Sequence, residues 1–179
     1  VPAKVLLDVA ESGVWPAFEP YPVPEITPEL DKAEFKVVAS SEQNDGKIGN
    51  AFDGSPETIW HSNWSDASVT HPYTIDIDVG KLAALNGFGY LPRENYGNGS
   101  IKDYEIYVSR APGAFGEPVA KGAFPREFDP KNPGKPKFQH VAFPTTWGRY
   151  VRVKILSSLG GDRFGSAAEF DLTQDLEAA

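Results

Sequence analysis

Residues 71–80 read HPYTIDIDVG. Tyr73, Ile75, Ile77 and Val79 alternate with Thr74, Asp76 and Asp78. A period of two sends successive side chains to opposite faces, so this stretch is a β-strand with one buried and one solvated face. RYVRVKIL at 149–156 repeats the pattern, with Val151, Val153 and Ile155 on one face and Arg152 and Lys154 on the other. Further strands are predicted at 34–40, 85–91, 102–109, 117–123, 137–143 and 166–173, separated by Gly, Pro and Asn clusters. No long helical periodicity competes; GKIGNAF at 46–52 allows one helical turn. Many short strands with turn signals between them predict an all-β fold, a β-sandwich jelly roll.

The chain has 179 residues, which suits one domain with some extra sequence. WPAFEPYPVPEITPEL at 15–30 carries five prolines. Proline fixes φ and removes a donor, so residues 1–34 are predicted to be a linker or the edge of a preceding domain. The sandwich is assigned to 35–175 and a short tail to 176–179. The chain begins at Val1 and contains no methionine, and it is read as a piece of a longer, secreted protein. A net charge of −8 argues against nucleic acid and against an anionic membrane surface. No apolar run approaches the ~18 residues of a membrane span. With no cysteine, a disulfide framework and a thiol nucleophile are excluded; three histidines make a multi-histidine zinc site a poor reading. There is no nucleophile elbow, phosphate loop or HExxH motif, so no enzyme chemistry is predicted.

Four constellations remain. In NAFDGSPETIW, 50–60, Asp53, Glu57 and the Thr58 hydroxyl surround a Gly54-Ser55-Pro56 turn. Such an oxygen set suits a hard cation, and a plain Asp-Gly turn accounts for the same residues. In WHSNWSD, 60–66, Trp60 is assigned to the core, while Trp64 in a polar loop offers an exposed indole face to a sugar or another ring. In LPRENYGNGSIKDYEIYVS, 91–109, Arg93 and Asn98 flank glycines. A guanidinium suits neighbouring hydroxyls, and an amide both donates and accepts; the alternative is an ion pair of Arg93 with Glu94 or Asp103. In LGGDRFGSAAEF, 159–170, glycines present Arg163 and Phe164, and Glu169 sits among small apolar residues, where an acid needs a partner or a metal.

Taken together and in order, NAFDGSPETIWHSNW, HPYTIDIDVG, GFGYLPRENYGNGSIKDYEIYVS, GRYVRVKIL and SAAEFDL resemble the coagulation factor V/VIII type C, or discoidin, domains. Among these they are most similar to family 32 carbohydrate-binding modules, over roughly residues 35–173. The resemblance implies a jelly roll whose loops at one end bind terminal galactose or N-acetylgalactosamine, in a monomer joined to a catalytic domain and working outside a bacterial cell. It implies sugar contacts from His61, Trp64 as the stacking aromatic, Arg93 and Asn98 as hydroxyl readers, and Phe164 as a wall. Glu42 or Asp45, in SSEQNDGK, is implied to complete the site. It also implies a structural calcium ion held by Asn50, Asp53, Ser55, Thr58, Ala168 and Glu169, with backbone oxygens supplied by Asn50, Ser55 and Ala168. The alternative from the same resemblance is a protein- or lipid-binding discoidin module, which wants basic residues and exposed apolar spikes that the −8 charge and polar-aromatic loops do not favour.

Overall fold

The computed structural model describes residues 29–178. Eight strands follow one another: β1 Lys36–Ala39, β2 Trp60–His61, β3 Tyr73–Leu91, β4 Asp103–Ser109, β5 Ala120–Ala123, β6 Gln139–Ile155, β7 Ser166–Ala167 and β8 Glu169–Gln174. Three short 3-10 turns, at Lys32–Glu34, Ile48–Ala51 and Glu94–Tyr96, are the helical content of the described residues. The all-β sandwich expected from alternation is what forms.

The alternating residues of 73–79 do bury one face: Ile75, Ile77 and Val79 are in the core with Val151, Val153 and Ile155 of β6. On the solvated face the charges find each other. Asp76 lies directly across from Arg152, and the two form a bidentate pair at 2.6 and 2.7 Å. Arg149 grips Asp78 in the same way at 2.7 and 2.9 Å. Planar forks matched to carboxylates are the stronger kind of surface pair.

Two pairs of expected strands are each one long strand. The stretches 73–79 and 85–91 are continuous in the 19-residue β3, and the strands expected at 137–143 and 149–156 run together, from 139 to 155, in the 17-residue β6. The chain does not leave the sheet at Gly80. That residue takes a left-handed φ of +83°, and the β3–β6 register shifts between Asp78 and Ala83. An irregularity of this kind bends the pair instead of ending it. The first half of β3 therefore pairs with β1, the second half with β8, and β6 accompanies both. β4 and β5 extend the sheet beyond β6. In the core, Phe170 of β8 packs beside Phe88 and Tyr90 of the strand it pairs with, ring centroids 5.3 and 5.8 Å apart. The predicted strand at 117–123 is shorter, beginning at Ala120.

The predicted linker is described only from residue 29; its first 28 residues lie outside the described part. Residues 29–34 lie on the sandwich. Glu29 bridges to Thr173, the Leu30 N–H donates to the Leu172 carbonyl at 2.9 Å, and the Leu30 side chain enters the core.

Candidate functional site

The loops at one end of the sandwich are drawn together by a second, two-stranded sheet. Trp60 of β2 pairs with Ala167 of β7, and His61 with Ser166. That pairing sets the 61–66 loop beside the 159–165 loop. Ser166 also bridges to Ser100, which adds the loop carrying Asn98. Gly99, at φ +79°, makes this approach possible: a Cβ there would sit 2.8 Å from the Gly165 carbonyl carbon. Trp60 itself is fully buried, its indole N–H donating to the Ser41 carbonyl at 3.0 Å. It anchors the end of the core beneath the loops.

Above it lies a cavity of about 420 Å³ lined by His61, Trp64, Arg93, Asn98 and Phe164, with Asp45 and Ile59 completing the wall. Five of the six residues assigned to sugar contact meet there. Glu42 does not line the cavity. Its carboxylate accepts from the Ile48 N–H at 3.0 Å and from Lys47 at 2.9 Å, which serves the 42–48 turn. The Ile48 amide, with Lys47 after it, holds this carboxyl below the usual glutamate range. Asp45, its neighbour in the same turn, is the acid on the cavity.

The lining differs residue by residue in what it offers. Trp64 is 52% exposed, an indole face open to solvent. His61 is 8% exposed, and its Nδ1 lies 2.7 Å from the Ser62 carbonyl. A carbonyl only accepts, so Nδ1 is the donor of this contact, and Nε2 is the nitrogen left to meet a ligand. The Phe164 ring lies 5.5 Å from the His61 ring. Among the described residues neither the Arg93 guanidinium nor the Asn98 amide has a hydrogen-bond or ion-pair partner. The two acids that could have paired with Arg93 are engaged elsewhere: Glu94 with Lys135 at 3.1 Å, and Asp103 with Ser157 and Lys102. The guanidinium instead lies along Gly97, where a Cβ would come within 2.8 Å of Nε.

Two residues that support this lining were not assigned a role from sequence. Arg163 donates to three backbone carbonyls of the 64–69 loop: Trp64 at 2.9 Å, Asp66 at 2.8 Å and Val69 at 2.9 Å. Asp162 accepts from the Phe164 N–H at 2.9 Å and the Gly99 N–H at 3.2 Å. The only local signal was the pair of glycines before them.

The turn before β2, residues 50–58, gathers oxygens. The Thr58 hydroxyl lies 2.7 Å from Asp53 Oδ2, 3.0 Å from the Ser55 carbonyl and 3.4 Å from the Asn50 carbonyl. Glu169 faces the same turn, its Oε1 accepting from the Gly54 N–H at 2.7 Å. Its other oxygen receives the Lys32 ammonium at 2.6 Å, and Lys32 also pairs with Asp171. Burial raises the Glu169 carboxyl above the usual range, opposed by Lys32 and Gly54. Ala168, just before it, donates its N–H to the Leu91 carbonyl. Among the described residues no three acids or histidines converge; the donors here are two carboxylates, a hydroxyl and carbonyls. A purely oxygen set of this kind fits a hard cation such as calcium and not zinc.

A jelly-roll sandwich with a shallow aromatic and polar cavity on its loop end defines a class of binding module. This chain belongs to the F5/8 type C domain family, whose model matches residues 36–170. It is 34% identical over 148 residues to a sialidase of Micromonospora viridifaciens, covering 80% of this chain and 22% of the relative. It is 29% identical over 149 residues to galactose oxidase of Gibberella zeae, covering 81% and 20%. The chain thus spans about a fifth of the curated relatives it matches. Among solved structures it is similar to a family 32 module of Clostridium perfringens in complex with GalNAc-β-1,3-galactose, at 28% identity and a TM-score of 0.70 over 82% of this chain and 99% of that one. A family 32 module from a family 31 glycoside hydrolase of the same organism gives 30% identity and a TM-score of 0.71, over 82% and 95%. What this chain shares with such enzymes is a non-catalytic carbohydrate-binding module.

Proposed function

We propose that this module binds terminal galactose or N-acetylgalactosamine of a glycan and so holds an attached enzyme against its substrate, outside a bacterial cell and as a monomer. The observation that carries the reading is the meeting, in one cavity, of an exposed Trp64 with Arg93 and Asn98 side chains that have no partner among the described residues. An axial 4-hydroxyl leaves one pyranose face more apolar, and an indole covers it. Arg93, Asn98 and His61 then read the hydroxyls at the ring edge. A sugar lacking the matching hydroxyl leaves those groups desolvated and unpaired, which is how such a site separates epimers. The reading is supported by the relative solved with GalNAc-β-1,3-galactose and by the names of the galactose oxidase and sialidase relatives. A shallow site gives weak monovalent binding, ~10⁻³ to 10⁻⁴ M, and tethering to an enzyme or to sister modules makes it useful.

The same proposal includes a structural calcium ion held by Asp53, Thr58 and Glu169 with the carbonyls of Asn50, Ser55 and Ala168. Such an ion supplies positive charge that ties the 50–58 turn to β8.

Calorimetric titration with galactose and glucose tests the reading. Binding of galactose and not of glucose is expected. Equal affinity for both, or binding to anionic lipid vesicles with no sugar binding, overturns it and favours an adhesion module.

A further inference from the structure

We infer that the sugar site continues into a second subsite that takes the next residue of a neutral glycan; this rests on the galactose reading above. A second cavity, of about 430 Å³, adjoins the first and shares Ile59 and Arg93 with it. Arg93 therefore borders both spaces, and a ligand chain leaving the first has the second directly beside it. Pro56, Leu91 and Pro92 give this second space an aliphatic surface suited to the C–H face of a pyranose.

Its outer wall is a hairpin. Residues 127–137 double back through Asp129 N–H to the Lys135 carbonyl at 2.8 Å and Lys137 N–H to the Glu127 carbonyl at 2.9 Å. Tyr96 fastens this hairpin to the turn that carries Arg93. The Tyr96 hydroxyl donates to the Glu127 carbonyl and accepts from the Glu127 N–H at 2.7 Å and from Gln139 at 3.2 Å. Its ring meets Phe128 edge-on at 5.4 Å. Asn95 and Tyr96 hold left-handed φ values of 57° and 48° to aim that side chain inward. Non-glycine residues persist in such conformations where the surroundings over-determine them, commonly beside binding sites. The hairpin wall and the turn that carries Arg93 are in this way tied together, as a preformed subsite requires.

The rim chemistry sets the ligand class. Lys135 and Arg93 balance Glu57 and Glu94, so the second space carries no net formal charge and suits a neutral hexose or N-acetylhexosamine over a sialylated or sulfated one. Lys135 and Glu94 are paired, yet both are more than half exposed. An exposed pair is worth little and can exchange for sugar hydroxyls at small cost. Asn132 adds an amide oxygen, its nitrogen being bound to Asp129.

The test is calorimetry of the full chain, with calcium, against methyl β-galactoside and against neutral disaccharides with β1,3- or β1,4-linked terminal galactose. We expect at least one disaccharide to bind roughly three- to tenfold tighter than the galactoside, the effect of one or two added hydrogen bonds. Lys135→Ala combined with Asn132→Ala should remove that advantage and leave galactoside affinity unchanged. Lys135→Ala alone, at an exposed position, should reduce it without changing the melting temperature. Galactoside binding with no gain for any disaccharide, or a gain that survives both variants, overturns the subsite alone. If no sugar of the panel binds, the galactose reading falls and the subsite with it.

Discussion

Arg163 donates to the backbone carbonyl of Trp64 at 2.9 Å. An arginine of the last long loop thereby holds, from 99 residues away in sequence, the one aromatic side chain that the site leaves open to solvent. The same guanidinium reaches Asp66 and Val69, so it fixes the loop and not a single atom. Arg163→Ala is expected to weaken galactose binding about tenfold while the module still folds, because the freed carbonyls lie at the surface and can bond water. Unchanged affinity in a titration of the variant would separate the platform from its support.

Trp64 supplies stacking area and nothing to the core. Trp64→Ala should cost ~1–3 kcal/mol of galactose binding and leave the melting temperature in place. The companion change Trp60→Ala should do the reverse, since its ring is fully buried; loss of ~3–5 kcal/mol of stability is expected. Denaturant unfolding and calorimetry on the two variants check the contrast.

Arg93 makes no ion pair among the described residues, so its truncation removes no structural contact of that kind. Arg93→Ala is expected to abolish detectable galactose binding through loss of ~1.5–3 kcal/mol, with thermal stability retained, and Asn98→Ala to behave likewise. A variant that unfolds, or one that binds galactose as well as the parent, would return the arginine to architecture.

The Glu169 carboxylate is shared between the turn at Gly54 and Lys32. Chelator should lower the melting temperature, because an ion bound by the native state adds stability by mass action, about 2.7 kcal/mol at a hundredfold excess over Kd. Lys32→Ala leaves Glu169 and Asp171 without their ammonium, an uncompensated buried charge that costs ~3–5 kcal/mol in the absence of metal. Added calcium should then raise the melting temperature more in Lys32→Ala than in the parent. Equal calcium responses in scanning calorimetry would mean that lysine and ion do not meet at Glu169.

The Arg149 hydrogen bonds hold the Asp78 carboxyl below its ordinary value. A folded pKa below the unfolded one means the unfolded chain binds more protons between the two. Stability from this pair is therefore present above pH ~4 and is lost as pH falls through the folded pKa. The pair is partly solvated, so its contribution is ~0–1 kcal/mol. Asp78→Asn should remove that amount at pH 7 and make progressively less difference as the pH falls below ~4. Stability measured by urea titration across this range tests the sign.

Much of the fold was legible one strand at a time. Alternation at 73–79 and 149–155 follows from the two-residue period of an extended chain, a local property that needs no knowledge of the partner. The placement of Trp60 inside and Trp64 outside was also readable, because one follows the Asp-Gly turn directly and the other sits in a polar loop. Where strands join was not readable. Gly80 looked like the end of a strand, but it bends β3 without ending it, since β6 continues alongside and keeps the pairing.

The residue types of the site were visible in sequence; their company was not. His61, the Arg93 and Asn98 of one loop, and Phe164 come from three separate segments, and the pairing of β2 with β7 and the Ser100–Ser166 bridge bring them to one cavity. Between Glu42 and Asp45 the sequence offers two acids in one turn, and the choice falls to the Ile48 amide that captures Glu42. Lys32 is the plainest case. Nothing near it marks it out from the linker, yet its ammonium settles on an acid 137 positions later. Side-chain periodicity is dictated by neighbours along the chain, whereas such meetings depend on sheet register and a shared core, which exist only once the whole chain has folded.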